Sequence, residues 1–127
     1  MRTEQRHERY DLEERLVEFA VKLVEMVEAL PDSRVCNHLA GQLIRSGTSP
    51  ALNYGEAQSA ESRSDFIHKI KIVLKELREC LVSLKIIKRL SLIESSEKLD
   101  DLIQEADELV AIFVKSASTA QKNSGKV

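Results

Sequence analysis

The sequence predicts an all-α protein, an antiparallel up-down four-helix bundle. Apolar residues recur at three- and four-residue steps through four separate stretches, the period that gathers them on one face of a helix. Only two prolines and four glycines punctuate 127 residues, too few for the many turns of a sheet. Aromatics are 4% against 43% apolar residues, so the core is built from Leu, Ile, Val and Ala, a composition of long helices. The length suits one domain that buries a core without disulfides or metal.

Residues 1–10 are polar and charged and read as a flexible lead-in. The bundle is expected over residues 11–118. Its first helix runs from Asp11 to Leu30, with Asp11 as cap and Glu13 and Glu14 in the first turn, where the helix dipole favours anions. Leu12, Leu16, Phe19, Leu23, Val27 and Leu30 form its stripe, and Pro31 stops it. Asp32 or Ser33 caps a second helix striped by Val35, Leu39, Leu43 and Ile44. The small residues that follow, with Gly47, Pro50 and Gly55, are read as one helix bent at Pro50 and continuing to Ser59. Ser62 and Asp65 make a capping box for a third helix, Arg63 to Leu90. Residues 91–96 turn the chain into a fourth helix, Ser96 to Ser118. Residues 119–127 read as a disordered tail. Short connections between helices imply antiparallel neighbours.

Composition excludes several classes. A net charge of −2 is not the global signature of a nucleic-acid binder. Cys36 and Cys80 stand alone without a CxxC pair, which fits reduced, buried thiols in a cytoplasmic protein. The opening residues MRTEQRHERYDLEER have no apolar signal-peptide region. No apolar run approaches the roughly 18 residues of a membrane span.

Helices three and four carry more apolar residues than one inward stripe needs. Ile67, Ile72, Leu74, Val82, Ile86 and Ile87 widen the third stripe, and Ile112 and Val114 widen the fourth. A large exposed apolar patch marks a contact surface, so a homo-oligomer is expected.

The string RSGTSPALNYGEAQSAESRSDFIHKIKIVLKELRE, Arg45 to Glu79, resembles the family of four helix bundle proteins, also known as 23S rRNA-intervening-sequence proteins. DLEERLVEFAVKLVEMVEALP looks like the first helix of that family. The specific parts are Arg-Ser-Gly-Thr-Ser, Asn53, Glu56-Ala57, Asp65-Phe66 and Lys75-Glu76-Leu77, and the resemblance covers roughly residues 10 to 115. Pro50 departs from the family, which more often has Ile there. The resemblance implies left-turning bundles assembled into homopentameric rings, with no established catalysis. It also implies that some members are encoded inside insertions in 23S rRNA genes. It further implies a relation to accessory proteins of diversity-generating retroelements, which look like basic pentameric rings that bind a reverse transcriptase and nucleic acid.

Three constellations bear on function. Arg45, Ser49, Asn53 and Glu56 lie on one helical face. With Glu76 they read as a structural polar strip, and an Arg45–Glu56 or Asn53–Glu76 link would fix register. Helix three presents Lys69, Lys71, Lys75, Arg78, Lys85, Lys88 and Arg89, and helix four opens with acids. These are either complementary helices or a basic stripe for phosphates that a ring would multiply by avidity. Arg63 and His68 match the R-x4-H spacing of HEPN ribonucleases, in which His handles the proton of the ribose 2′-hydroxyl and Arg the phosphate charge.

Asp65 and His68 have no second copy to complete a di-metal site, and Cys36 and His38 have no matching ligand pair, so neither metal nor cofactor is expected. The reading is a non-enzymatic oligomeric scaffold that contacts RNA, DNA or a nucleic-acid-processing partner. The alternative is a HEPN-like ribonuclease.

Overall fold

The computed structural model describes residues 2–94 and 96–124, with side chains from residue 11 to residue 123 except Ser95. Four helices make up the described chain: α1 (Arg2–Glu28), α2 (Arg34–Gln58), α3 (Arg63–Arg89) and α4 (Glu97–Ser124). They pack around one core in which Phe19, Leu23, Leu43, Ile70, Leu77, Leu84, Leu109 and Phe113 are fully buried. Tyr54 of α2 meets Phe113 of α4 edge-on, with ring centroids 5.7 Å apart. Each helix touches two others, and α1 and α3 share no contact among the described residues, so they sit at opposite corners.

The helix ends follow local chemistry. The Ser33 hydroxyl accepts from the Cys36 amide at 3.1 Å, so Ser33 rather than Asp32 caps α2. Ser62 caps α3 by accepting from the Asp65 amide at 3.0 Å. Ser96 accepts from the Leu99 amide at 3.0 Å, ahead of α4. At the end of α3, Ser91 takes a φ of 51°. The Leu92 amide then returns to the Ile87 carbonyl and the Ser91 amide to the Lys88 carbonyl, the paired bonds of a Schellman stop.

Two boundaries differ from expectation. Helical backbone reaches back to Arg2, so Asp11 lies within α1 and does not cap it. Residues 2–10 contain no Pro or Gly to stop propagation once the first turns exist. At the far end, α4 continues past Ser118 to Ser124 for the same reason, since the next glycine is Gly125. The last part of the expected tail, residues 125–127, lies outside the described residues, as do Met1 and the side chains of the lead-in. In α2 the helix runs unbroken through buried Pro50. Pro50 has no amide for the Ser46 carbonyl, and the flanking hydroxyls of Ser46 and Thr48 bond back to the Gln42 and Ile44 carbonyls at 2.8 and 2.7 Å.

Glycine use separates two positions. A Cβ on Gly47 would lie 2.6 Å from Leu23 Cδ2, so a bare backbone is what lets α1 press against α2 there. Gly55 has open space around it within the chain.

Candidate functional site

The polar strip on α2 becomes a latch to α3. Arg45 Nη1 donates to Glu76 Oε2 at 3.0 Å and to Oε1 at 3.3 Å, and Nη2 donates to Glu79 Oε2 at 3.1 Å. These carboxylates, Glu79 foremost, raise the Arg45 pKa above its usual value. Glu76 is buried, and Arg45 covers it from the solvent side. One helical turn along, Asn53 Nδ2 donates to the Ser49 hydroxyl at 2.8 Å and the Ser49 carbonyl at 3.0 Å. Glu56 accepts from Lys69 Nζ at 2.6 Å.

The expected Arg45–Glu56 and Asn53–Glu76 links do not form within the chain. Arg45 and Glu56 are separated along α2 by roughly 16 Å of helix rise, beyond side-chain reach. Glu76 is taken by Arg45, which leaves Asn53 to its own helix. The sequence names the residues of the strip, but their partners depend on which α3 residues come opposite.

Buried Cys80 belongs to the same seam. Its thiol lies 3.3 Å from the Ser46 hydroxyl and donates to it. Burial pushes the thiol up to about 12, against a smaller lowering by the Ser46 hydrogen bond. A thiol held neutral in this way is a poor nucleophile at neutral pH.

The basic stripe divides. Lys69 is tied to Glu56, and Lys88 to Asp100 at 2.7 Å. Lys71, Lys75, Arg78, Lys85 and Arg89 form no ion pair among the described residues, and all five are exposed. Between the charges, Val82 and Ile86 are exposed at 57% and 40%, next to Val114 of α4. Ile87, expected among the outward surplus, is instead in the core, because its position falls on the inner face with Leu84. Ile67, Ile72, Leu74 and Ile112 are half-buried.

A second surface was not anticipated. The seam between α1 and α4 is open, since the two helices touch only sparsely. It holds a cleft of 1240 Å³ at the end of the bundle where the α3–α4 turn lies. Buried Phe19, Met26 and Leu99 form its floor, half-buried Leu92 and Ile93 and exposed Ala29 and Pro31 line its mouth, and Glu25, Glu94, Asp101 and Lys98 stand around it without an ion-pair partner among the described residues. Arg15 clamps the seam by donating to Glu105 at 2.6 and 3.1 Å. The Glu105 carboxylate raises the Arg15 pKa, against a smaller opposing effect of burial. The signal in the sequence is the long acid-rich first half of α4, but an open seam depends on helix spacing that periodicity does not encode.

Arg63 and His68 do not converge. Five residues along one helix rotate their side chains roughly 140° apart. Both are exposed near the start of α3. Among the described residues no three His, Cys, Asp or Glu side chains are grouped as metal ligands. Buried Cys36 and exposed His38 accordingly share no such group. No described helix is long and apolar enough to cross a membrane.

The 23S rRNA-intervening sequence protein family matches residues 8–115. The chain belongs to that family. A solved structure of a protein of unknown function from the S23 ribosomal protein family of Bacteroides thetaiotaomicron is similar, with 29% identity and a TM-score of 0.77. The similarity covers 87% of this chain and 97% of that one. No curated protein matches the sequence. In this 23S rRNA-intervening sequence protein the matched span contains both the α2–α3 latch and the α1–α4 cleft.

Proposed function

We propose that this chain is a non-enzymatic, self-assembling scaffold. Its antiparallel up-down bundle is the repeating unit of a homo-oligomeric ring, a pentamer by the family resemblance. The carrying observation is the outer face of α3 and α4, where Val82, Ile86 and Val114 stand exposed although the core is filled. A bundle with a closed core gains nothing by exposing a cluster of branched apolar residues, whereas an interface gains by burying it. The ion pairs agree with antiparallel α2 and α3. Position 45 meets 76 and 79 while position 56 meets 69, so partner numbers fall as α2 advances.

Light scattering on a sizing column near physiological salt tests the reading. A pentamer of 14.4 kDa chains gives five times that mass. A chain that runs at 14.4 kDa at all concentrations removes the scaffold reading.

One observation favours a second reading, contact with RNA or DNA phosphates. Lys71, Lys75, Arg78 and Lys85 have no ionic partner among the described residues. In that case retained nucleic acid falls away steeply as salt rises, as counterion release requires. The HEPN-like ribonuclease predicts RNA cleavage that disappears in His68→Ala, and the scaffold predicts no cleavage in either protein.

A further inference from the structure

We infer that the basic, partly apolar outer face of α3 docks into the α1–α4 cleft of a second copy of this chain, so that subunits join head to tail. The inference rests on the self-assembly reading and names the two surfaces that meet.

Four observations point to that occupant. The first is charge. Around the cleft, Glu25, Glu94 and Asp101 are unpaired acids, while on α3 Lys75, Arg78 and Lys85 are unpaired bases. Lys98 also lines the cleft without an ion-pair partner among the described residues, so three acids stand there against one base, and the α3 bases supply the counter-charge that is still missing. Complementary charge of this kind orients encounter and suppresses wrong registers. The second is apolar content. Half-buried Leu92 and Ile93, with exposed Ala29 and Pro31, give the cleft mouth apolar surface to meet the exposed Val82 and Ile86 between the α3 bases.

The third observation is length. The cleft follows α1 from Glu18 to Ala29, roughly 16 Å at the rise of an α-helix, and the α3 face from Lys71 to Ile86, roughly 22 Å, is long enough to fill it. The fourth is placement. Because α1 and α3 occupy opposite corners of the bundle and do not touch, the outer face of α3 cannot reach its own chain's cleft. The two surfaces do not overlap, so one copy can use both at once. A contact between two different surfaces is heterologous, and repeated contacts close into a ring when the rotation per copy allows it. The stripe is thereby assigned to a neighbouring subunit rather than to nucleic acid.

A charge swap tests the assignment. One variant carries Arg78→Glu and Lys85→Glu on α3. A second carries Glu25→Lys and Asp101→Lys at the cleft. A third carries all four changes. All four side chains are exposed, so circular dichroism is expected to show unchanged helicity. Light scattering is expected to give the wild-type protein as an oligomer, both two-site variants at or near 14.4 kDa, and the four-site variant back at the wild-type mass. A two-site variant that keeps the full mass overturns the inference, as does a four-site variant that stays dissociated. If the α3 variant keeps its mass but loses co-purifying RNA, read from its absorbance ratio, the face is a phosphate surface and the inference is wrong. A monomeric wild-type protein is a different result, because it removes the self-assembly reading beneath the inference.

Discussion

The α2–α3 seam and the α1–α4 seam of one bundle are built to opposite plans. The first is closed by specific polar pairs over a packed core: Arg45 on Glu76 and Glu79, Cys80 on Ser46, Lys69 on Glu56. The second is held by the Arg15–Glu105 clamp and otherwise carries a cleft with half-buried Leu92 and exposed Ala29 at its mouth. The difference teaches that bundle formation does not consume all the apolar surface that this sequence carries. The core is buried beneath both seams, and what α1 and α4 leave for a partner is the cleft above it.

The largest expected contrast between the seams is in core truncation. Leu77 is fully buried, and Leu77→Ala is expected to cost about 2–5 kcal/mol, including the cavity it leaves. Leu92 lines a cleft that is already open, so Leu92→Ala is expected to cost the single chain about 1 kcal/mol. Urea unfolding at one fixed protomer concentration compares them, since assembly links stability to concentration. Equal losses would mean that the cleft is packed as tightly as the core.

A smaller contrast concerns two of the three glycines of α2, Gly47 and Gly55. Gly47→Ala places a methyl against buried Leu23. Overpacking of about 1–3 kcal/mol outweighs the roughly 1 kcal/mol that Ala gains over Gly in a helix. A Cβ at Gly55→Ala has no neighbouring side chain within 4 Å among the described residues, so it is expected to raise stability by up to about 1 kcal/mol. Thermal melts of the two variants should shift in opposite directions.

The closed seam also carries a pH signature. The folded Cys80 thiol holds its proton more tightly than the unfolded thiol, whose ordinary value is 9.0. Its contribution is fully present below 9.0 and is lost as pH rises toward about 12. Stability of the wild-type protein is therefore expected to fall more between pH 8 and pH 11 than that of Cys80→Ala, measured by urea midpoints. Parallel pH profiles would contradict the burial argument. The smallest effect is at the end of α3, where Ser91→Gly relieves a positive φ and is expected to add up to about 1 kcal/mol in the same assay.

Much of this molecule is legible in its sequence. Period and punctuation place four helices, and the stops at Pro31, Ser62 and Ser91–Ser96 are local events that a single segment specifies. The outer helix ends are less legible, because residues 2–10 and 119–124 are polar without being helix breakers. Of the polar strip, identity is readable and pairing is not. Arg45 finds Glu76 and Glu79 because of the register between two helices 31 and 34 residues apart in the chain, and no spacing rule within α2 contains that register. The cleft is harder still. Phe19 and Leu99 look like ordinary stripe positions and are buried as such, and only the spacing of α1 from α4 leaves a cleft above them.

The central claim is that a second copy of the chain covers the open seam, and the accessibility of the cleft tests it most directly. Ala29 lines the cleft and is exposed, whereas the native Cys36 and Cys80 are buried. In an Ala29→Cys protein, maleimide labelling is timed in the assembled state and again with Arg78→Glu and Lys85→Glu added. The account predicts slow labelling in the assembly and rapid labelling once the α3 charges are reversed. Equally rapid labelling of residue 29 in both proteins, with the first confirmed as an oligomer, would contradict it.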